Sequence, residues 1–380
     1  MRIAFTAPMK PLDDPLPSGD RTMGRLIVKG LEQAGHEVRI ASRFRSWRAK
    51  GGVDEQRAVE REALAEADAI ARRWEAEGYR PDLFLTYHLY HKAPDWIGPA
   101  LADHFALPYA VIEASRAPKR QRGEWEHGFA AADAALLRAD MVAALHRADR
   151  ECLAAVTPEA RLTVLAPFLD ERPFLDAPRI PPPADAPPRL LAVGMMREGA
   201  KMASYRLLAE ALGKLERQHS FTLTIAGDGP GRAEVEALFA RHGARFTGAR
   251  FTGALSPEEM PALYAAHDIL VWPAIREAFG FVFLEAQAAG LAIVGGDTFG
   301  VPDVVADGVS GLLAPEGDVE AFAVALARLL ATPALTARMG MAARAHILAR
   351  HGLAAGAARL DAFLGHALRN FAARATASPQ

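Results

Sequence analysis

The chain has 380 residues, of which 51% are hydrophobic and 24% charged, a balance that suits a folded globular protein and excludes the disordered class. One hydrophobic core stops growing below that length, so two domains are expected. A formal net charge of -2 argues against a broadly basic nucleic-acid binder, and a single cysteine, Cys152, excludes an internal disulfide and a cysteine-rich metal cluster.

The opening MRIAFTAPMKPLDD contains an apolar stretch that meets Pro8 and Lys10 too early for a signal-peptide core. No segment offers the roughly 20 uninterrupted apolar residues that a membrane span needs, and a cytoplasmic protein is the expectation. "RIAF" reads as a short buried strand, and "TMGRLIVKGLEQAGHEVRIAS" as a helix stopped by Gly35 and a second strand, because Leu26, Ile27, Gly30 and Leu31 recur at helical spacing. Strand-type runs follow at "PDLFLTY" and "PYAVIEA", separated by the helical "DWIGPALADHF". The stretch 167 to 189, PFLDERPFLDAPRIPPPADAPPR, is dense in proline and aperiodic, as an extended linker would be. Alternation restarts with "RLLAVG", "YRLLAEALGKL", "FTLTIAG", "DILVWP", "FGFVFLEAQAAG" and "AIVGG". The expected organisation is an N-terminal α/β domain over 1–170, a linker over 171–188, a second α/β domain over 189–352 and a helical segment over 353–380.

Ligands of parallel α/β sheets bind beyond the carboxyl ends of the strands. The first such loop, TAPMKPLDDPLPSGDRTMG, has no G-x-G-x-x-G, so a nicotinamide or flavin dinucleotide has no fingerprint here. Gly19, just ahead of a helix, suits either close backbone approach to a phosphate or sugar, or a plain turn. The second loop, AVGMMREGAKMASYRLL, places Arg197 and Lys201 after a strand end, where two cations would neutralise a diphosphate; a solvated face is the alternative. "IAGDGPGR" is a third strand with a glycine-rich turn. "RFTGARFTGALS" repeats five residues in tandem and reads as a duplicated loop.

"REAFGFVFLEAQAAG", residues 276 to 290, sets Glu277 and Glu285 eight positions apart around a Phe-Gly-Phe turn. Gly280 falls at the start of the helix, where free N–H groups and the dipole favour an anion. A carboxylate repels phosphate but accepts hydrogen bonds from paired hydroxyls. Phosphate in the middle with hydroxyls on both sides describes a sugar nucleotide. Spacing alone leaves open a loop role for Glu277 and a solvent-facing role for Glu285.

The run "PAIREAFGFVFLEAQAAGLAIV…GVPDVVADGVSGLLAP", with "GHEV", "TIAGDGP", "LYAAHDILVWP" and the position of Lys201, closely resembles the Glu-x7-Glu signature of retaining glycosyltransferases of family 4. The resemblance is dense in the second half and loose in the first. It implies the GT-B fold: two Rossmann-like parallel-sheet α/β domains facing across a cleft. It further implies that the second half binds a nucleotide-sugar donor, with Glu285 on the ribose, Glu277 near the transferred sugar, Lys201 on the diphosphate, and the Gly280 and Phe281 backbone on donor oxygens. Gly19 would close on the donor from the first half, which would carry the acceptor, and the final segment would cross back to that half.

Two departures from the family pattern stand out. Met195 occupies the usual arginine position, with Arg197 two residues on as a substitute, and Ala114 stands where members often have histidine. His88, His91 and Glu113 are the candidates to position sugar hydroxyls or the acceptor. No two aspartates lie two positions apart in the Asp-x-Asp pattern that metal-using glycosyltransferases commonly show, so no metal and no cofactor are expected. Lys201, Arg197 and the helix start would stabilise the leaving group, with Glu277 beside the reacting sugar. The basic stretches RFRSWRAKGG and SRAPKRQRGEWEHG suit an anionic acceptor, peripheral membrane contact or a solvated loop alike. The rival classes are an inactive GT-B binding module, and another GT-B enzyme such as a sugar-nucleotide epimerase or a phosphorylase.

Overall fold

In the computed structural model, residues 1–13, 18–181, 183, 186–240 and 246–377 are described. They form two units: one comprises residues up to Pro167 together with the final helix Leu353–Ala377, and the other is the continuous Phe168–Gly352.

The first unit contains β1 (Arg2–Thr6), β2 (Glu37–Ser42), β3 (Leu83–Leu89), β4 (Tyr109–Ala114), β5 (Met141–Ala144) and β6 (Leu162–Val164). They pair in parallel in the order β2-β1-β3-β4-β5-β6. The central strands are nearly continuous apolar runs because helices cover both faces of a parallel sheet. Edge strand β2, sequence EVRIAS, carries its charges toward solvent. The 25-residue helix Val53–Glu77 escapes a reading by large apolar residues: its buried stripe is Val59, Ala63, Ala67, Ile70, Ala71 and Trp74. The final helix buries Leu360, Phe363, Leu364 and Ala367 within this unit. It packs along the first helix, Gly19–Gln33, and is pinned by Asn370 Nδ2 donating to Asp140 O at 2.9 Å and by His36 Nε2 lying 3.1 Å from Asp361.

The second unit contains β7 (Arg189–Val193), β8 (Phe221–Ala226), β9 (Phe246–Gly253), β10 (Ile269–Trp272), β11 (Ala292–Asp297) and β12 (Gly311–Pro315). Their order is β12-β11-β10-β7-β8-β9, again parallel. Two expectations are corrected here. The tandem repeat is an edge strand rather than a loop, since β9 pairs with β8 along its length; Arg245, at the start of the first copy, lies outside the described residues. The proline-rich stretch is not extended throughout: Pro173 at a first-turn position starts a short helix, Arg172–Asp176. Residues 182, 184 and 185 of that stretch lie outside the described residues.

Each sheet reverses its winding once. In the first unit the chain leaves β1 toward β2 and later returns to β3 on the other side; in the second it leaves β7 toward β8 and returns to β10. These reversals open crevices at the carboxyl edges of β1/β3 and β7/β10, where open α/β sheets bind ligands. No single helix among the described residues is long and apolar enough to cross a membrane.

Candidate functional site

At the β7/β10 reversal, β7 ends at Val193 and a loop that begins with Gly194 leads to the helix Ala200–Leu215. Glycine is required at position 194, because a Cβ there would stand 2.7 Å from the Trp272 ring. The Tyr205 hydroxyl, one turn into the helix, donates to Gly194 O at 2.6 Å and its ring meets Trp272 edge-on at 5.1 Å. Strand β10 delivers Trp272 to the same point. Lys201 Nζ lies 5.4 Å from the centre of the Trp272 ring and donates to Glu277 Oε2, while Trp272 Nε1 approaches that oxygen at 3.4 Å. The lysine and glutamate side chains keep 28% and 17% of their surface exposed, so the pair is half-buried and open to a ligand.

The loop that carries Glu277 is held under strain. Ala274 and Arg276 adopt φ of 56° and 50° without being glycine, which costs about 1–3 kcal/mol each. A neighbouring helix and loops offset that cost. Ser204 Oγ accepts from the Ile275 amide at 3.0 Å and Glu316 Oε1 from the Arg276 amide at 2.9 Å; the Thr298 hydroxyl donates to the other Glu316 oxygen at 2.9 Å. The loop ends at Gly280, φ 70°, where a Cβ would crowd Phe283 Cδ2 at 3.0 Å and Glu277 Cγ at 3.2 Å. Gly280 caps the helix Phe281–Ala288 without a side chain, and although the Phe283 amide donates to Gly280 O at 3.1 Å, the Phe281 and Val282 amides stay available beside the Lys201–Glu277 pair. An anion would find a cation, a helix start and an indole edge together there.

Glu285 lies one turn further on and is not exposed as a solvent-facing helix residue would be. Tyr264, fully buried, donates its hydroxyl to Glu285 Oε2 at 2.7 Å. Burial holds the Glu285 carboxyl above its usual range, with the Tyr264 hydrogen bond pulling the other way. The phenol is itself pushed well above its ordinary value, by burial first and the Glu285 charge second. Arg197 stands on the exposed part of the loop, with no side-chain ion pair among the described residues, beside exposed Met195.

The first-unit candidates fall into two places. His88 and Glu113, near the ends of β3 and β4, converge on Asp20 in the first turn of the helix that follows β1. Gly19, directly before Asp20, is the first residue of that helix. Ala114 is buried and pairs with Leu89, so the polar side chain presented at the end of β4 is Glu113. His91 sits apart, buried, edge-on to Trp125 at 5.4 Å, and burial pushes it down to about 4. In the two basic stretches the aromatic residues turn inward: Trp125 is buried and Trp47 Nε1 donates to Tyr90 OH at 3.0 Å. Arg116 is clamped by both oxygens of Asp133 at 2.9 Å.

The structure thus brings Lys201, Glu277, Gly280 and Phe281 together, sets Glu285 one turn behind them, leaves Arg197 at the rim and groups His88 with Glu113 but not with His91. Sequence reading missed Trp272, Tyr264, Ser204 and Glu316 in the second unit and Asp20 and Lys10 in the first. Trp272 and Glu316 stand at the carboxyl ends of β10 and β12, a position that carries no residue-type signature, whereas Tyr264, Ser204 and Asp20 lie on helices and Lys10 in the loop after β1, where no local pattern marks them.

Two parallel sheets, each with a ligand-type crevice at its winding reversal, define the GT-B class. Sucrose-phosphate synthase from Thermosynechococcus elongatus superposes on 97% of this chain and 99% of its own with a TM-score of 0.73 at 20% identity. The Anabaena protein Alr3699/HepE, solved with UDP, covers 96% of this chain and 100% of its own with a TM-score of 0.71 at 16% identity. Residues 187–332 match the family model of Glycosyl transferases group 1. Among curated relatives, the 2-deoxystreptamine glucosyltransferase of Streptomyces kanamyceticus is 34% identical over 145 residues, which are 37% of each chain. The alignments thus span well under half the length of the curated relatives this chain matches.

Proposed function

We propose that this chain transfers a sugar from a nucleoside-diphosphate sugar to an acceptor, a glycan, lipid or small molecule, with retention of anomeric configuration and no metal at the leaving group. The observation that carries this reading is the Lys201–Glu277 pair set over Trp272 at the Gly280-led helix start. An ammonium has three donors, so Lys201 can keep one on Glu277 while turning others to a diphosphate. Departure of that diphosphate from the anomeric carbon passes through an oxocarbenium-like state, and the charge it gathers is met by Lys201, the helix N–H groups and, from the rim, Arg197. Glu277 accepts from hydroxyls of the transferred sugar, and Glu285, braced by Tyr264, from the ribose. Retention follows from the family resemblance. Further support for a nucleoside-diphosphate donor is that the Anabaena neighbour has been solved with UDP and with UDP-glucose.

A thermal-shift panel of UDP-, GDP- and ADP-sugars tests the reading. One of the three series is expected to stabilise the protein, and Glu285→Ala to abolish the shift. If no activated sugar shifts the unfolding midpoint at millimolar concentration, the reading fails. Consumption of the nucleotide sugar only when acceptor is present separates transfer from epimerisation.

A further inference from the structure

The β1/β3 reversal of the first unit holds a second constellation, and three chain segments build it. Asp20 comes from the first turn of the helix that follows β1, His88 from near the end of β3 and Glu113 from near the end of β4. His88 and Glu113 adopt φ of 65° and 59°, a conformation that is strained for a non-glycine residue and persists only where its surroundings impose it. Both side chains are more than four-fifths buried. His88 Nδ1 lies 3.7 Å from Asp20 Oδ1 and 3.6 Å from Glu113 Oε2, and the three ligand atoms fall within 4.8 Å of one another. Those separations exceed a hydrogen bond. Neither His88 Nδ1 nor Glu113 Oε2 has a hydrogen-bond partner in the protein.

Two carboxylate oxygens facing one point in a largely buried setting need a positive charge beside them, which His88 supplies as an ion pair when protonated and a bound cation supplies when its Nδ1 is a free acceptor. Lys10 does not supply it there, because its ammonium sits on the other Asp20 oxygen, Oδ2, which also accepts from Ser18 Oγ at 3.1 Å. Size discriminates between the remaining cations. Around a tetrahedral ion with bonds of about 2.0–2.2 Å, ligands stand about 3.3–3.6 Å apart. Around an organic ammonium with hydrogen bonds of about 2.8–3.0 Å, acceptors stand about 4.6–4.9 Å apart. The two separations measured from His88, 3.6 and 3.7 Å, lie at the upper end of the smaller cation's range and well short of the larger one's.

We propose that Asp20, His88 and Glu113 form a binding site for a divalent transition-metal ion of the zinc or manganese class, with at least one coordination position left open. One imidazole nitrogen with two carboxylate oxygens is a donor set such ions accept. Lys10 and Ser18 fix the Asp20 carboxylate from outside, and the Tyr87 hydroxyl donates to Asp20 O at 2.9 Å, so the ligand residue is oriented from both ends. The open position at the crevice can take an oxygen ligand such as a hydroxyl. All three ligands come from the first unit, so the proposal does not rest on the leaving-group chemistry assigned to the second.

The test uses the full chain, stripped with chelator and titrated with Zn2+, Mn2+ or Co2+ by calorimetry, with Co2+ also followed through its visible d–d absorption. The expected result is one high-affinity ion per chain, with affinity lowered at least about tenfold in both His88→Ala and Glu113→Gln. Glu277→Gln, altered only in the second unit, should bind as the parent does. Circular dichroism establishes that each variant is folded, and the milder Glu113→Gln decides the matter if His88→Ala is not. Absence of stoichiometric binding at tens of micromolar metal, or binding undiminished in a folded Glu113→Gln, overturns the proposal.

Discussion

Replacing Tyr264 by phenylalanine removes one oxygen and leaves the ring, with its edge-on contact to Phe174 at 5.8 Å, in place. The lost bond is the 2.7 Å donation to Glu285 Oε2, made by a fully buried phenol to a carboxylate. Hydrogen bonds to charged groups contribute about 1.5–3 kcal/mol, and this one leaves its acceptor without a replacement donor on the same side. For a unit the size of Phe168–Gly352, where each kcal/mol moves Tm by about 2–4 °C, the expected drop is about 3–12 °C. The pH dependence carries a sign. Burial already raises the Glu285 pKa, so the stability tied to its protonated form is present below the ordinary carboxylate pKa and lost as pH rises through the raised value. Without the phenol, ionised Glu285 loses its donor while protonated Glu285 loses far less. The Tm deficit of Tyr264→Phe should therefore be larger at about pH 7.5 than at about pH 4.5, measured by calorimetry in parallel with the parent. An equal deficit at both pH values, or none at either, would refute the reasoning that a strained carboxylate is held ready by this bond.

Gly280→Ala forces a side chain into left-handed backbone against Phe283 and Glu277, and is expected to cost about 1–3 kcal/mol in denaturant titrations. It should also weaken nucleotide-sugar binding measured by calorimetry. Lys201→Met removes the cation from the helix start; turnover should fall about 10²–10³-fold in initial-rate assays, and a loss under threefold would take Lys201 out of the mechanism. His91, lowered to about 4 by burial, contributes stability that is present above its ordinary pKa of 6.5 and is lost as pH falls toward about 4. His91→Leu should flatten the stability-versus-pH curve across that interval, read from chemical unfolding midpoints.

The strands nearest each winding reversal were legible because parallel strands buried on both faces are written as short apolar runs closed by glycine or proline, as in RIAF, RLLAVG and DILVWP. The helix Val53–Glu77 was not, since alanines spaced among charges bury a narrow stripe with little hydrophobic signal. Strand β9 read as a loop because its glycines and arginines are turn and surface residues by composition, and only pairing with β8 extends them. Glu277 and Glu285 could be singled out from their spacing, but not their partners. Lys201 is 76 positions from Glu277 and Tyr264 is 21 from Glu285, distances that only the sheet order closes. Asp20 was passed over inside a polar loop. Its meeting with His88 and Glu113 depends on three strand ends lying side by side, a relation that no local pattern encodes.

Because the helix Leu353–Ala377 completes the first unit, that unit is interrupted in sequence by the whole of the second. During synthesis the uninterrupted unit can close while the first still lacks the helix that covers Gly19–Gln33 and β5. The usual amino-to-carboxyl order of domain maturation is thereby reversed. A chain cut short before Leu353 would carry a complete second unit and a first one whose apolar flank is bare.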